Sequence, residues 1–471
     1  MKAVVSRRVL LPKSKVDDAK IHKDLAIIDS RTQSIGKRQN LVCFEERQNY
    51  FLVPKAYELK LFKDSNIEFD DTQSPGHPIE VRFEGTLRPG QDSAVEAALS
   101  SLRDTEGGVM NLCCGLGKTT CAKMISCHMG LKTLILVHTS ALLEQWEKRI
   151  EKFVEGASIG RIRQKVFDVE GRTHVFGLMQ SISKRSYEKG SFKCFGLLIV
   201  DEARHVCAHT SSKCLQIAGC KYRLGLSPTP YRKDRLTPFL FHSIGPICCS
   251  VEGKSDTQSI EIMNIKITDG PRGIHTMRIA GGKTTVNVAK MINDLCDPSV
   301  SLARSARIVK CIENSVKEGR QSMVLSDRRA HLTGLECKTS ENAKNSNVST
   351  GFMVGGMKKE DLKNSELCRV IFATYAYCSE GVDVASLKTI IFATPRSDVV
   401  HCTGSILRLH MDKKTPRVVD TVDDSTAFTN QIFERKRCYK TLGTVIKYFD
   451  QDLCLIKSVK KKQEELWTRW K

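Results

Sequence analysis

The stretch Asn111-Leu-Cys-Cys-Gly-Leu-Gly-Lys-Thr-Thr120 follows an apolar run and has the spacing of a phosphate-binding loop. Glycines in such a loop let backbone N–H groups surround phosphates, and the helix that follows contributes the positive end of its dipole. Lys118 supplies a charge to the phosphates, and Thr119 is placed to ligate Mg²⁺ through its hydroxyl. We therefore predict that a nucleotide is bound by Cys114, Gly115, Leu116, Gly117, Lys118, Thr119 and Thr120.

A second stretch, Leu197-Leu-Ile-Val-Asp-Glu-Ala203, is an apolar run that ends in two carboxylates. It is typical of a buried strand whose end faces the phosphate loop. Asp201 would hold Mg²⁺ through water, and Glu202 would orient and deprotonate the attacking water. In this order, the two stretches predict a nucleoside triphosphate hydrolase that uses Mg²⁺. Its predicted catalytic residues here are Lys118, Asp201 and Glu202, and its predicted metal ligands are Thr119 and Asp201.

The charge of the chain indicates its partner. Lys and Arg number 74 against 53 Asp and Glu, which gives a net charge of +21. Such an excess favours nucleic acid as the partner over a membrane surface. The sequence contains no run of about twenty apolar residues, so we predict no membrane span. The 19 cysteines contain no C-x-x-C pair and are odd in number. We therefore expect an intracellular, reducing compartment and no zinc ribbon.

Alternating strand-like and helix-like runs predict an α/β protein with two parallel-sheet lobes. We expect an accessory region over 1–85, an ATP-binding lobe over 86–250, a connector over 251–303, a second lobe over 304–450 and a basic tail over 451–471. The predicted strands are 109–112, 133–137, 173–177, 197–200, 322–326, 369–373, 389–393 and 417–420. In such sheets, ligands bind at the carboxyl ends of the strands, where both quoted motifs fall.

The motifs and their order resemble superfamily 2 helicases with two RecA-like lobes. Within that superfamily the chain is similar to the DNA helicases of large cytoplasmic DNA viruses, the group that includes the poxviral transcript-release helicase and is related to excision-repair helicases. The resemblance covers roughly 86–440. It implies a 3′-to-5′ motor that acts on DNA more than on RNA, with transcription machinery as a further partner. It also implies a location in the host cytoplasm or the virion.

The resemblance implies roles for further residues of the first lobe. In Thr86-Leu-Arg-Pro-Gly-Gln91, Gln91 corresponds to the glutamine that reads the adenine edge. Leu224-Gly-Leu-Ser-Pro-Thr-Pro230 resembles the motif whose two hydroxyls, here Ser227 and Thr229, couple the carboxylates to the nucleic-acid surface. The implied contacts to nucleic-acid phosphates come from Thr139, Ser140, Gln180 and Ser181. The nearby Trp146 either packs its helix against the sheet or stacks on a base.

In the second lobe, Phe372-Ala-Thr-Tyr-Ala-Tyr-Cys-Ser-Glu-Gly-Val-Asp383 resembles the motif that senses both strand and nucleotide. By this resemblance Thr374 contacts a phosphate of the strand. Glu380, Gly381 and Asp383 would lie at the ATP cleft. Gly404-Ser-Ile-Leu-Arg408 resembles the arginine-finger motif, so Arg408 is the implied finger that stabilises charge on the transferred phosphoryl group.

Three positions depart from the pattern of these helicases. Arg204 follows Asp201-Glu202-Ala203 where His or Asp is usual, Pro228 replaces alanine in the coupling motif, and Ser405 replaces the first arginine of the finger motif. These departures keep a second hypothesis open: a clamp that binds nucleic acid and uses ATP weakly or only as a ligand. A third hypothesis is a metabolic kinase with a phosphate loop, but it explains neither the second lobe nor the excess of positive charge.

Overall fold

A computed structural model describes residues 3–6, 8–28, 40–57, 69–113, 115–188, 190–207, 209–232, 234–251, 260–268, 270–271, 273–278, 284–342, 348–379, 384, 386–406, 414–423, 426–441 and 445–459. The chain divides into two compact units, Met1–Val251 and Glu252–Lys471. Both are α/β, as the sequence predicts. Among the helices in the described part of the chain, none is long and apolar enough to cross a membrane.

The first unit begins with a small β module. Its five-stranded sheet has the order β5-β6-β2-β1-β7, and a two-stranded sheet pairs β3 with β4. The elements are β1 (Ala3–Val5), β2 (Val9–Pro12), helix α1 (Asp18–Leu25), β3 (Ala26–Ile28), β4 (Asn40–Val42), β5 (Glu45–Glu46), β6 (Tyr50–Val53) and β7 (Phe69–Asp71). Lys55, which is buried, lies 2.7 Å from Glu106 Oε2 and docks this module against the lobe that follows.

That lobe contains an eight-stranded sheet in the order β13-β12-β14-β10-β15-β16-β9-β17, parallel except for β13. Its strands are β9 (Gly107–Leu112), β10 (Thr133–Val137), β12 (Ile159–Arg163), β13 (Val166–Phe167), β14 (His174–Leu178), β15 (Leu197–Val200), β16 (Tyr222–Ser227) and β17 (Ile247–Val251), and β8 (Arg82–Phe83) pairs separately with β11 (Val154–Glu155). Its helices are α2 (Gln91–Thr105), α3 (Lys118–Met129), α4 (Ser140–Phe153), α5 (Met179–Lys184), α6 (His209–Ile217) and α7 (Thr237–Ser243).

Burial on both faces explains why these strands read as continuous apolar runs. Along β10, Leu134 and Leu136 pack into one hydrophobic core, whereas Ile135 and Val137 pack into another on the opposite face. Side chains alternate across a strand, so a sheet covered by helices on both sides needs apolar residues at every position. The four strands predicted for this lobe are confirmed, with a shift of one residue for β14 and a start two residues earlier for β9.

The second unit has the same plan, with an eight-stranded sheet in the order β22-β23-β21-β24-β25-β18-β26-β27, parallel except for β27. The strands of this sheet are β18 (Glu261–Ile267), β21 (Gln321–Ser326), β22 (Thr350–Met353), β23 (Val370–Thr374), β24 (Leu387–Phe392), β25 (Arg417–Asp423), β26 (Val445–Phe449) and β27 (Leu455–Val459). Separately, β19 (Thr276–Arg278) pairs antiparallel with β20 (Thr284–Val286). The helices are α8 (Val288–Cys296), α9 (Leu302–Lys317), α10 (Arg329–Asn342), α11 (Lys359–Leu367), α12 (Tyr375–Ser379), α13 (Val400–Ile406) and α14 (Thr426–Thr441).

Three predicted domain limits need correction. The interval 251–303 is not only a connector, because β18 lies inside the second sheet between β25 and β26. The accessory region ends before 85, because β8 pairs with β11 of the first lobe. Part of the predicted basic tail belongs to the second lobe, because β27 adds an antiparallel edge strand to β26. The partners of β8 and β18 are distant in sequence, so local patterning does not reveal those pairings, whereas β27 forms a hairpin with the adjacent β26.

A buried histidine should make the first unit sensitive to acid. His174 begins β14 and is fully buried, and burial lowers its pKa to about 4. The unfolded chain binds a proton near pH 6.5, which the folded chain excludes until about pH 4, so stability falls as pH drops through this range. Between pH 7 and pH 5 we expect His174 to account for about 2 kcal/mol of lost stability.

Calorimetric melting of the full chain at the two pH values tests this expectation. His174→Gln should lose less stability between pH 7 and pH 5 than the wild type, whatever its stability at pH 7. His128, exposed on α3, provides the control, and His128→Gln should follow the wild type. Equal acid sensitivity in His174→Gln and wild type would contradict the prediction.

Candidate nucleotide and nucleic-acid site

The phosphate loop connects β9 to α3, as predicted. Gly115 and Gly117 have φ angles of 86° and 83°, a left-handed conformation that glycine adopts at little cost. A Cβ atom built on Gly117 would lie 2.1 Å from Nε2 of Gln91, so the loop leaves no room for a side chain there. The glycine turn leads directly into the positive end of the α3 dipole, which favours an anion. Cys114, a predicted loop residue, lies outside the described residues.

The side chain of Gln91 is hydrogen-bonded to this loop. Its side chain is buried, Nε2 donates to the carbonyl of Leu116 at 2.7 Å, and Oε1 accepts from the N–H of Arg88 at 2.8 Å. Both ends of the amide thus contact backbone of the loop or of its own turn. Recognition of adenine by Gln91 stays a prediction, and the structure adds a direct link from Gln91 to the phosphate loop.

Lys118, Thr119 and Thr120 form the first turn of α3. Nζ of Lys118 donates to the carbonyl of Leu112 at 3.2 Å, which folds the ammonium back over the loop. The hydroxyl of Thr119 accepts from Nη1 of Arg149 at 3.3 Å, and the N–H of Thr120 donates to the carbonyl of Gly117 at 2.9 Å. The predicted metal-ligating hydroxyl is therefore contacted by an arginine of α4.

Asp201 and Glu202 directly follow β15. Oδ1 of Asp201 accepts from the N–H of Glu202 at 2.9 Å, and Oδ2 accepts from the indole N–H of Trp146 at 2.7 Å. Glu202 has a φ of 48°, an uncommon left-handed backbone conformation for glutamate, and its Oε2 is shielded from solvent. The backbone turn thus directs the two carboxylates differently, with Asp201 held by two donors.

The coupling residues lie next to these carboxylates. Ser227 ends β16, and its Oγ accepts from the backbone N–H of Thr229 at 3.2 Å, a contact that spans Pro228. Nη1 of Arg204 donates to Oγ1 of Thr229 at 3.3 Å. The unusual Arg204 therefore connects the carboxylate motif directly to the coupling motif.

A pair of histidines bridges two motifs of this lobe. The rings of His138 and His205 stack with centroids 4.1 Å apart and planes inclined by 13°. Burial, together with the nearby Arg204, lowers the pKa of His138, although Asp201 opposes that shift. The stack joins the end of β10 to the turn after β15.

The predicted phosphate-contacting residues of the first lobe lie at two places. Oγ1 of Thr139 caps α4 by accepting from the N–H of Leu142 at 3.3 Å, and Ser140 is the first residue of that helix. Ser181 on α5 accepts from the N–H of Gln164 at 3.3 Å. An open cavity of about 680 Å³ has a basic and amide lining: Gln164, Lys165, Gln180, Ser181, Lys184 and Arg185.

In the second unit, Thr374 ends β23, and its Oγ1 accepts from the N–H of Tyr377 at 3.4 Å. Glu380, Gly381, Asp383 and the finger candidate Arg408 lie outside the described residues. Arg396 contacts Asp327 at 2.8 Å and its guanidinium lies 5.5 Å from the centre of the Tyr375 ring. Arg396 is thus engaged within its own unit at the strand-end loops.

Sequence reasoning missed the role of α4. Trp146 is only 1% exposed, so it packs against the sheet rather than stacking on a base, and it also bonds Asp201. Arg149 received no role from the sequence. The signal available was their spacing of three, which places both side chains on one helical face. The stacked His138 and His205 had no sequence signal, since a ring contact requires the fold.

The residues present fit Mg²⁺ and a nucleoside triphosphate. The glycine turn precedes the first turn of α3, which carries Lys118 and the hydroxyl of Thr119. Arg149 contacts Thr119 and interacts electrostatically with Asp201. Trp146, on the same helix, contacts Asp201 directly. These shared contacts bring the two predicted metal ligands to one location. An oxygen-donor set of this kind suits Mg²⁺.

The chain is similar in sequence to several known proteins. Residues 84–232 match the family described as the res subunit of type III restriction enzymes. A protein of Acanthamoeba polyphaga mimivirus, named as an ATP-dependent RNA helicase, is 29% identical over 468 residues, which are 97% of this chain and 88% of the relative. A protein of Invertebrate iridescent virus 6, named as a helicase, is 27% identical over 396 residues, 79% of this chain and 84% of the relative.

Two solved structures share the fold. The ATP-dependent Type ISP restriction-modification enzyme LlaBIII bound to DNA has a TM-score of 0.55 at 16% identity over 76% of this chain, which spans only 30% of that enzyme. Dbp5 of S. cerevisiae bound to RNA and ADP BeF3 has a TM-score of 0.51 at 11% identity, over 78% of this chain and 94% of Dbp5. At these identities the likeness concerns the fold alone: two RecA-like lobes.

Proposed function

We propose that this chain, which belongs to the superfamily 2 helicases and is related to those of large DNA viruses, hydrolyses ATP with Mg²⁺ to move along nucleic acid. The observation that carries the proposal is the meeting of two motifs distant in sequence. Thr119 of the phosphate loop and Asp201 at the end of β15 are contacted by side chains three residues apart on α4. A nucleotide site with both a phosphate cradle and a carboxylate pair supports hydrolysis rather than binding alone.

The chain's own residues divide the work of this reaction. The amides of the glycine turn and Lys118 hold the phosphates, while Thr119 and Asp201 hold Mg²⁺, which neutralises phosphate charge. Glu202 orients the attacking water and accepts its proton. Arg408 is the proposed source of positive charge at the transferred phosphoryl group.

Coupling of hydrolysis to nucleic acid is proposed to run through Ser227 and Thr229. Arg204 donates to Thr229 from the segment after the carboxylates, so a shift of that segment moves the coupling hydroxyl with it. Contacts that differ between nucleotide states are what shift such an equilibrium. Glu380, Gly381 and Asp383 stay proposed nucleotide contacts of the second unit.

We propose DNA as the track, followed from 3′ to 5′, with phosphate contacts from Thr139, Ser140, Gln180, Ser181 and Thr374. Support comes from the net charge of +21 and from the basic cavity around Gln180 and Ser181. The restriction-enzyme family matched by the first lobe also favours DNA. The mimivirus relative carries the name of an RNA helicase, so RNA is the outcome to test against.

The decisive experiment compares steady-state ATP hydrolysis with no polymer, single-stranded DNA, duplex DNA and RNA. We expect stimulation by DNA, and Lys118→Ala should reduce the stimulated rate by on the order of 10²- to 10³-fold because it removes a charge that stabilises the developing phosphate charge. Greater stimulation by RNA than by DNA would reassign the track. Absence of hydrolysis in every condition would refute the proposal that this chain hydrolyses ATP.

The clamp remains the second candidate because Ser405 replaces an arginine in the finger motif. A clamp would bind nucleic acid tightly and in a salt-dependent manner without stimulated hydrolysis. Introducing Ser405→Arg then separates the two cases. A gain of hydrolysis would trace the weak activity to the missing charge, whereas strong activity in the wild type would show that Arg408 suffices.

The basic cavity gives a quantitative prediction for binding. Lys184→Ala with Arg185→Ala should weaken binding of single-stranded DNA and lower the slope of log affinity against log salt by about 1.4, if each side chain neutralises one phosphate. Fluorescence anisotropy over a salt series measures both quantities. The matched control removes two exposed charges from α9, as Lys310→Ala with Lys317→Ala, and should leave the slope nearly unchanged.

A further inference from the structure

Helix α4 presents two side chains to the metal half of the site. The indole N–H of Trp146 donates to Oδ2 of Asp201 at 2.7 Å, and Nη1 of Arg149 donates to Oγ1 of Thr119 at 3.3 Å. Residues three apart on a helix are neighbours on its surface. One helical face therefore contacts both predicted ligands of Mg²⁺, although neither of its two residues belongs to a recognised nucleotide motif.

Trp146 fixes the orientation of Asp201. The indole ring is almost fully buried and lies 6.5 Å from the ring of Phe176, so its N–H has little freedom. An indole nitrogen can only donate, and a carboxylate oxygen can only accept while ionised. With the N–H of Glu202 on the other oxygen at 2.9 Å, both oxygens of Asp201 have a fixed donor. Such outer partners orient metal ligands and tune their affinity.

Arg149 has the opposite relation to a metal ion. Its guanidinium bonds the hydroxyl through which Thr119 would ligate Mg²⁺, and burial lowers the pKa of Arg149 while the charge of Asp201 raises it. The guanidinium therefore lies within electrostatic reach of both ligands. A cation in this position supplies part of the charge that a metal would supply, and it repels a metal that approaches the same oxygens.

We propose that Trp146 is a positioning residue for the metal-binding carboxylate, and that Arg149 is a displaceable counter-cation that leaves Thr119 when Mg²⁺ and nucleotide bind. This inference rests on the proposed function, because it presupposes a site for Mg²⁺ and nucleotide. It predicts effects of opposite sign from two residues on the same face of one helix. A purely structural role of α4 would give two effects of the same sign.

The test measures metal binding rather than hydrolysis. Mn²⁺ is titrated into the full chain with a saturating non-hydrolysable ATP analogue, and free Mn²⁺ is followed by electron paramagnetic resonance. Trp146→Phe keeps an apolar ring but removes the donor, and should weaken Mn²⁺ binding about 10- to 100-fold. Arg149→Gln removes the competing charge and should strengthen Mn²⁺ binding by about threefold or more.

Two controls separate these effects from disturbance of the helix. Lys148→Gln removes an exposed charge next to Arg149 and should leave Mn²⁺ affinity as in the wild type. Binding of the analogue in EDTA should be equal for wild type and Trp146→Phe, because the donor acts through the metal ligand. Weaker Mn²⁺ binding in both variants, or unchanged binding in Arg149→Gln, would overturn the inference.

A second readout does not require changing either residue. The other tryptophans, Trp467 and Trp470, lie in the last residues of the chain, so Trp467→Phe with Trp470→Phe leaves Trp146 as the single indole fluorophore. Emission should change when Mn²⁺ and the analogue are added together and stay constant with the analogue in EDTA. Constant emission despite Mn²⁺ binding would contradict the contact to Asp201. If wild-type chain binds no Mn²⁺ with the analogue, the proposed function itself fails.

Discussion

Glu202→Gln is expected to reduce stimulated ATP hydrolysis by about 10²- to 10⁴-fold while binding of Mg²⁺-nucleotide is retained, which is the usual range for loss of a general base. Glutamine has the shape of glutamate but cannot accept the proton of the attacking water at neutral pH. The N–H that Glu202 donates to Oδ1 of Asp201 belongs to the backbone, so the substitution leaves that bond in place. The two carboxylates should therefore have different roles: Asp201 binds the metal, and Glu202 accepts the proton of the attacking water.

Rates and affinities must be measured together for this variant. Stimulated hydrolysis gives the rate, and titration with a fluorescent non-hydrolysable analogue gives the affinity. Glu170 is exposed in the same lobe, and Glu170→Gln provides the control for loss of one negative charge. A parallel loss of affinity and rate in Glu202→Gln would assign Glu202 to metal binding and contradict its role as base.

The sequence was a good guide to the two lobes for a specific physical reason. A parallel sheet covered on both faces requires unbroken apolar runs, and such runs as 197–200 and 133–137 are visible without any partner. The glycine loop and the carboxylate pair are equally local. Their meeting at the carboxyl edge of one sheet follows from the parallel order β10-β15-β16-β9.

The contacts that complete the site were not predictable in the same way. The bond from Trp146 to Asp201 depends on how α4 crosses the sheet, and a buried tryptophan after an apolar strand is more often a packing residue. Arg204 was a departure from the helicase pattern in sequence, yet it reaches Thr229 because β15 and β16 are neighbours. Strand β18 was missed because its partners, β25 and β26, follow it by more than a hundred residues in the chain.

A buried ion pair in the second unit carries the other large expected effect. Arg304 on α9 is fully buried, and its Nε and Nη2 lie 2.6 Å and 2.9 Å from the two oxygens of Asp423 at the end of β25. Removing one member leaves the other charge without its counter-ion in a site that water does not reach. Asp423→Asn should therefore destabilise the second unit by about 3–5 kcal/mol.

The same helix contains its own control. Arg307, one turn after Arg304, pairs with Asp452 at 3.0 Å, but the Asp452 side chain is 65% exposed. Asp452→Asn should cost at most about 1 kcal/mol, because water screens and replaces an exposed pair. Denaturant unfolding of the full chain, followed by a probe of the second unit, measures the stability of both variants.

Replacing both members of the buried pair, as Arg304→Met with Asp423→Leu, should recover most of the lost stability, since the penalty belongs to the isolated charge rather than to the absence of the pair. Equal costs for Asp423→Asn and Asp452→Asn would contradict the argument from burial.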